Sequence, residues 1–78
     1  MEINDYEKYE KNIQRYIQCI QPKIRNPKTL QNQIKRFEKM YNNCDDKELK
    51  KILLIALEGS KKNFLNLFLY WGVDIDEM

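Results

Sequence analysis

Residues 53–76, LLIALEGSKKNFLNLFLYWGVDID, constrain the fold of this chain more than any other stretch. They read as two apolar helices joined at Gly59-Ser60, followed by a glycine stop at Gly72 and a short loop alternating apolar and acidic residues. Glycine is a poor residue for a helix interior and serine a good one for a cap, so the pair marks a turn. Two helices this apolar cannot bury their faces against each other alone. They need partners from the rest of the chain or from another molecule, and so point to contact rather than chemistry.

The chain has 78 residues, enough for one domain with a small core. At this size burial and conformational entropy nearly cancel. Reinforcement is expected from good helix packing, from an oligomer, or from a place at one end of a larger stack. With 42% hydrophobic and 33% charged residues the composition is that of a folded domain rather than a disordered one. Only two glycines and two prolines argue against an all-β fold with many tight turns.

The pattern predicts an all-α domain over residues 1–78, a compact bundle of four short helices at about 5–21, 27–42, 46–58 and 61–71. The first carries Tyr6, Tyr9, Ile13, Tyr16 and Ile20 at spacings of three and four, the seam of an amphipathic helix. Asn4 or Asp5 caps its start and Pro22 ends it. Asn26 and Pro27 start the second, whose stripe is Leu30, Ile34, Phe37 and Tyr41, and Asn42-Asn43 suit its stop. The third starts at Asp45 or Asp46, with Asp45 and Glu48 in capping-box spacing. The fourth starts at Ser60 and is apolar around most of its circumference, from Phe64 to Trp71, which marks it as central.

Residues 53–76 resemble an ankyrin repeat. Leu53, Ala56 and Leu57 stand in its first helix, and Phe64, Leu65, Leu67, Phe68 and Leu69 in its second. Gly72-Val73-Asp74-Ile75-Asp76 stands where the family has G-A-D-V-N. The segment LFLYWGVDID is similar to the turn of ankyrin-type multigene-family proteins of large cytoplasmic DNA viruses. The T-P-L-H start of a repeat is replaced by Lys50-Lys51-Ile52-Leu53-Leu54, Leu57 is bulkier than the usual small residue, and no second copy follows at a 33-residue period. The resemblance implies an ankyrin-like C-terminal helix pair. It also implies a protein-binding role for the polar start of the third helix, with Lys47, Lys50 and Lys51. A miniature four-helix bundle with an ordinary core helix at residues 64–71 fits the same residues.

Little in the sequence points to catalysis. There is no histidine, which rules out Ser–His and Cys–His nucleophilic arrangements. Asp45-Asp46 and Asp74 with Asp76 sit at a helix start and in a loop, where capping and solvation account for them. No glycine-rich phosphate loop or EF-hand spacing is present. Cys19 and Cys44 lie far apart in no C-x-x-C pattern, so neither a metal site nor a cofactor is expected. Both thiols read as reduced and partly buried, with a single disulfide between them left open. The polar, acidic N-terminus is unlike a secretory leader, and no apolar run approaches the ~20 residues of a membrane span. An intracellular, cytoplasmic location is expected.

The partner expected is another protein, with this chain as an adaptor or inhibitor of a host or defence protein. Its surface is Lys47, Lys50 and Lys51 or any uncovered part of the Tyr6, Tyr9, Tyr16 stripe, since tyrosine combines large contact area with a polar tip. A homo-oligomer is a separate expectation, from the many apolar faces on so few residues. The runner-up reading is a small basic helical nucleic-acid-binding or regulatory protein, using a patch of Lys35, Arg36, Lys39, Lys47, Lys50 and Lys51. A helix-turn-helix reader is not expected, because the fourth helix offers Phe, Leu, Tyr and Trp where base edges need polar side chains.

Overall fold

Two short polar side chains set the starts of two helices. Asn26 Oδ1 accepts from Lys28 N at 2.9 Å and Thr29 N at 3.4 Å, and Pro27 fills the first helical position, where a missing N–H is harmless. Asp46 Oδ1 likewise accepts from Glu48 N at 3.0 Å and Leu49 N at 3.4 Å. The cap is therefore Asp46, the second of the two aspartates expected at this start, and not the Asp45 of the capping-box spacing. The computed structural model describes residues 4–72. In it α1 spans Asn4–Arg15, α2 Pro27–Asn42 and α3 Lys47–Leu69, and no strand occurs among the described residues. The side chains of Asn4 and Asp5, expected to cap α1, lie outside the described residues, as does the acidic loop expected after Gly72.

Pro22 does not end the first helix; it changes its winding. From α1 the chain passes into a π-helical segment, Tyr16–Ile20, and then a 3-10 turn, Gln21–Lys23. Gln21 N bonds to Tyr16 O, five residues back. The next bond in that register would need an N–H at position 22, and proline has none. Ile17 O instead accepts from Asn63 Nδ2 of α3 at 2.9 Å. The chain becomes extended only at Ile24, with φ −76° and ψ 124°. At the end of α2, Asn43 closes the helix at φ −98°, so the stop needs no left-handed residue. Among the described residues only Gly72, at φ +67°, has positive φ, as its place after α3 predicts.

The expected third and fourth helices are one. α3 runs unbroken through Gly59-Ser60, so the described residues hold three α-helices and not four. The cause is packing. A β-carbon at Gly59 would overlap Cγ2 of Ile17, so the glycine serves the approach of the first helical stretch rather than a turn. Ser60, expected to be a cap, is fully buried, and its Oγ accepts from Gln21 Nε2 at 2.9 Å. With no turn between two helices here, the ankyrin likeness rests on the residue pattern alone.

α3 is the element against which both other helices pack. Tyr6 reaches Asp46 and Ile17 faces Gly59, so α1 runs in the same sense as α3. The short connection at residues 43–46 returns α2 antiparallel. Together they close into a compact globule whose core is Ile17, Leu30, Ile52, Leu53, Ala56, Leu57 and Leu67. Leu30, Leu53 and Leu67 have essentially no exposure, and burial of each stabilises by about 1.5–3 kcal/mol.

Inside this core sits a polar cluster. The side chain of Gln21, fully buried, donates to Gln33 Oε1 at 2.7 Å and to Ser60 Oγ at 2.9 Å, and accepts from Asn63 Nδ2 at 2.7 Å. Every hydrogen-bonding group of its amide head is used, the condition under which a buried amide is tolerated. The cluster joins the 3-10 turn at Gln21 to both α2 and α3.

α3 outreaches its partner. Its 23 residues span roughly 35 Å against roughly 24 Å for the 16 of α2. The expectation of a wholly central helix at residues 61–71 is therefore corrected: Leu67 is buried, but Leu65, Leu69, Tyr70 and Trp71 are exposed. Phe64 and Phe68 meet edge to face at 5.1 Å, and the Arg25 guanidinium lies 3.6 Å from the centroid of the Trp71 ring. Ile20, expected on the seam of the first helix, is also half exposed. Both cysteines are free thiols, Cys19 exposed and Cys44 half-buried, so the disulfide left open by the sequence is absent.

Candidate functional site

The Asp46 cap fixes the first turn of α3 and with it the directions of Lys47, Lys50 and Lys51. Positions 47, 50, 51 and 54 lie on one side of a helix, since i, i+3, i+4 and i+7 share a face. The last turn of α2 packs beside them and brings Tyr41. Tyr41, Lys47, Lys50, Lys51 and Leu54 together line a shallow hollow of about 250 Å³. The Tyr41 ring and Leu54 form an apolar floor, and the lysines supply the rim.

Each rim lysine is held differently. Lys50 is half-buried, with its Nζ 4.9 Å from the centroid of the Tyr41 ring, a cation–π contact that fixes the charge over the floor. Lys51 Nζ lies 3.8 Å from Glu48 Oε1; both side chains are well exposed, so the pair contributes little and leaves the ammonium available. Lys47 is exposed. Three positive charges around an apolar floor can hold an acidic segment that also offers an apolar side chain.

The three tyrosines expected as the alternative surface differ in their surroundings. Tyr6 donates its hydroxyl to Asp46 Oδ2, tying the start of α1 to the cap of α3 next to Lys47. That bond holds the Asp46 carboxyl below the usual carboxylate range, and the same bond pushes the Tyr6 hydroxyl up. Tyr9 and Tyr16 are half-buried and do not line the hollow. The two floor residues were missed as site residues by the sequence reading. Leu54 lay within reach of it, seven positions after Lys47 on the same face. Tyr41 comes from another helix and needed the packing of α2 on α3.

A larger groove, about 350 Å³, lies between the first helical stretch and α3, lined by Gln14, Gln18, Ile55, Lys62 and Asn66 among others. Asn63 in its wall is already bonded to Ile17 O and to Gln21, so the groove offers one cation and less available polar chemistry than its size implies. Among the described residues, no group of three or more Cys, Asp or Glu side chains could hold a metal ion, and no helix is long and apolar enough to cross a membrane. No family model, curated protein or solved structure matches this chain.

Proposed function

We propose that this protein is a small protein-binding module, an adaptor or inhibitor, that docks an acidic segment of its partner in the hollow of Tyr41, Lys47, Lys50, Lys51 and Leu54. The observation that carries this reading is the position of Lys50 over the Tyr41 ring, which sets a charge directly above an apolar floor. A phosphate backbone would use the lysines and leave the floor empty. A peptide with carboxylates around an aromatic or leucine side chain uses both. The likeness of residues 53–76 to ankyrin-type proteins of large DNA viruses supports a role inside a cell, on a host or defence protein. The 78 residues contain no histidine, which fits binding rather than catalysis.

The test is fluorescence anisotropy with three labelled probes: a peptide of glutamates around one tryptophan, the same peptide with glycine for tryptophan, and a mixed-sequence oligonucleotide. The tryptophan peptide is expected to bind most tightly. The triple charge reversal Lys47→Glu, Lys50→Glu, Lys51→Glu weakens it by about tenfold or more, with the helical circular dichroism spectrum of the folded protein retained. Equal binding of both peptides, or tighter binding of the oligonucleotide, overturns the reading and favours the basic patch with Lys35, Arg36 and Lys39.

A further inference from the structure

α3 carries a stripe of exposed residues along its solvent side: Leu54, Glu58, Lys61, Lys62, Leu65 and Leu69. Leu54, Leu65 and Leu69 are 36%, 55% and 65% exposed, far from the burial that leucines in a helix usually reach. At 100° per residue the leucines, Glu58 and Lys61 fall within about 80° of arc, so they form one continuous line along the helix. The sequence along that line reads apolar, acidic, basic, apolar, with Glu58 and Lys61 in the middle.

We propose that this stripe pairs with the same stripe of a second copy, antiparallel, about a twofold axis near residues 59–60. An isologous contact requires that if one residue meets another, the second meets the first across the axis. The stripe meets that condition. Leu54 faces Leu65 of the other copy and Leu65 faces its Leu54. Glu58 faces Lys61 and Lys62, and those lysines face its Glu58. Leu69 lies along the aliphatic stem of Lys51. A parallel pairing would set Glu58 against Glu58 and Lys61 against Lys61, and like charges across an interface are repulsive. The charges therefore select both the occupant and its direction. A single helix pair buries less than a standard interface, so the association belongs at the weak end. It shares two residues with the lysine hollow, Leu54 and Lys51.

The experiment is sedimentation velocity over a concentration series reaching ~100 µM, the range in which interfaces of this size associate. It uses the full chain, the variant Glu58→Lys, the variant Lys61→Glu/Lys62→Glu, and an equal mixture of the two variants. All three positions are on the surface, so circular dichroism should match the parent. The parent is expected to self-associate, and each variant alone to do so about tenfold or more weakly. The mixture should recover association, because each altered charge then meets its complement. Leu65→Glu is expected to abolish association without any such recovery. A parent that stays monomeric through the series overturns the proposal. So does association that Glu58→Lys leaves unchanged, or a mixture that behaves as its two components do alone.

Discussion

Gly59 faces Ile17 so closely that a β-carbon on the glycine would overlap Cγ2 of the isoleucine and lie 3.5 Å from its Cβ. Ile17 is β-branched and nearly buried, so it has little freedom to withdraw. Gly59→Ala therefore sets two effects against each other. Helix propensity favours alanine by up to about 1 kcal/mol, and overpacking costs about 1–3 kcal/mol. The clash is with a stiff side chain, so net destabilisation by about 1 kcal/mol is expected in urea unfolding. A gain in stability would show that the glycine is not there for close approach.

The Gln21 cluster gives a second prediction. Asn63→Leu leaves Ile17 O and Gln21 Oε1 without their partner inside the protein, at a cost of about 1–3 kcal/mol. Gln21→Ala removes three bonds at once and should cost a similar amount or more. Because both changes act on one network, the double variant should lose less than the sum of the two. Strict additivity in a double-mutant cycle would mean that the cluster does not act as a unit.

What the sequence made legible follows from the range of the forces involved. The all-helical class, the Asn26 cap, the body of α2 and the Gly72 stop depend on neighbours within a turn, and these were readable. Gly59 and Ser60 were not. Local propensity reads that pair as a break, while two residues more than thirty positions away, Ile17 and Gln21, turn it into the interior of a helix. The π-helical rewinding before Pro22 depends on Asn63 in the same way. For the candidate site, the cluster of Lys47, Lys50 and Lys51 was legible because it lies within one helix. Tyr41 was not, since α2 had to be placed first.

The extent of α3 beyond α2 can be checked by two truncations two residues apart. Leu67 is 1% exposed and Leu69 is 65% exposed. Leu67→Ala is expected to cost about 2–5 kcal/mol, and Leu69→Ala to stay within about 0.5 kcal/mol. Thermal unfolding at a concentration low enough to keep the chain monomeric reads both. A large loss at Leu69 in the monomer would restore the wholly central helix that the sequence pattern suggested.

The bond from Tyr6 to Asp46 makes a pH-dependent contribution. Asp46 has its pKa lowered in the folded state, chiefly by this bond. Its contribution is present above the unfolded carboxylate pKa of about 4 and is lost as pH falls through the lower folded value. Tyr6 has its pKa raised, again chiefly by Asp46. Its contribution holds below about pH 10 and is lost as pH rises through the folded value. Tyr6→Phe should therefore be less stable than the parent at neutral pH, with the difference vanishing in strong acid. A difference that is constant from pH 7 to pH 2 in denaturant titrations would assign the effect of Tyr6 to packing alone.

The central claim concerns where a ligand sits, and an amide chemical-shift titration addresses it most directly. Adding the glutamate–tryptophan peptide to isotopically labelled protein is expected to move the resonances of Tyr41, Lys47, Lys50, Lys51 and Leu54. Those of Gln14, Gln18 and Asn66, which line the larger groove, should stay in place. Shifts confined to the groove, or no shifts at saturating peptide, would contradict the account.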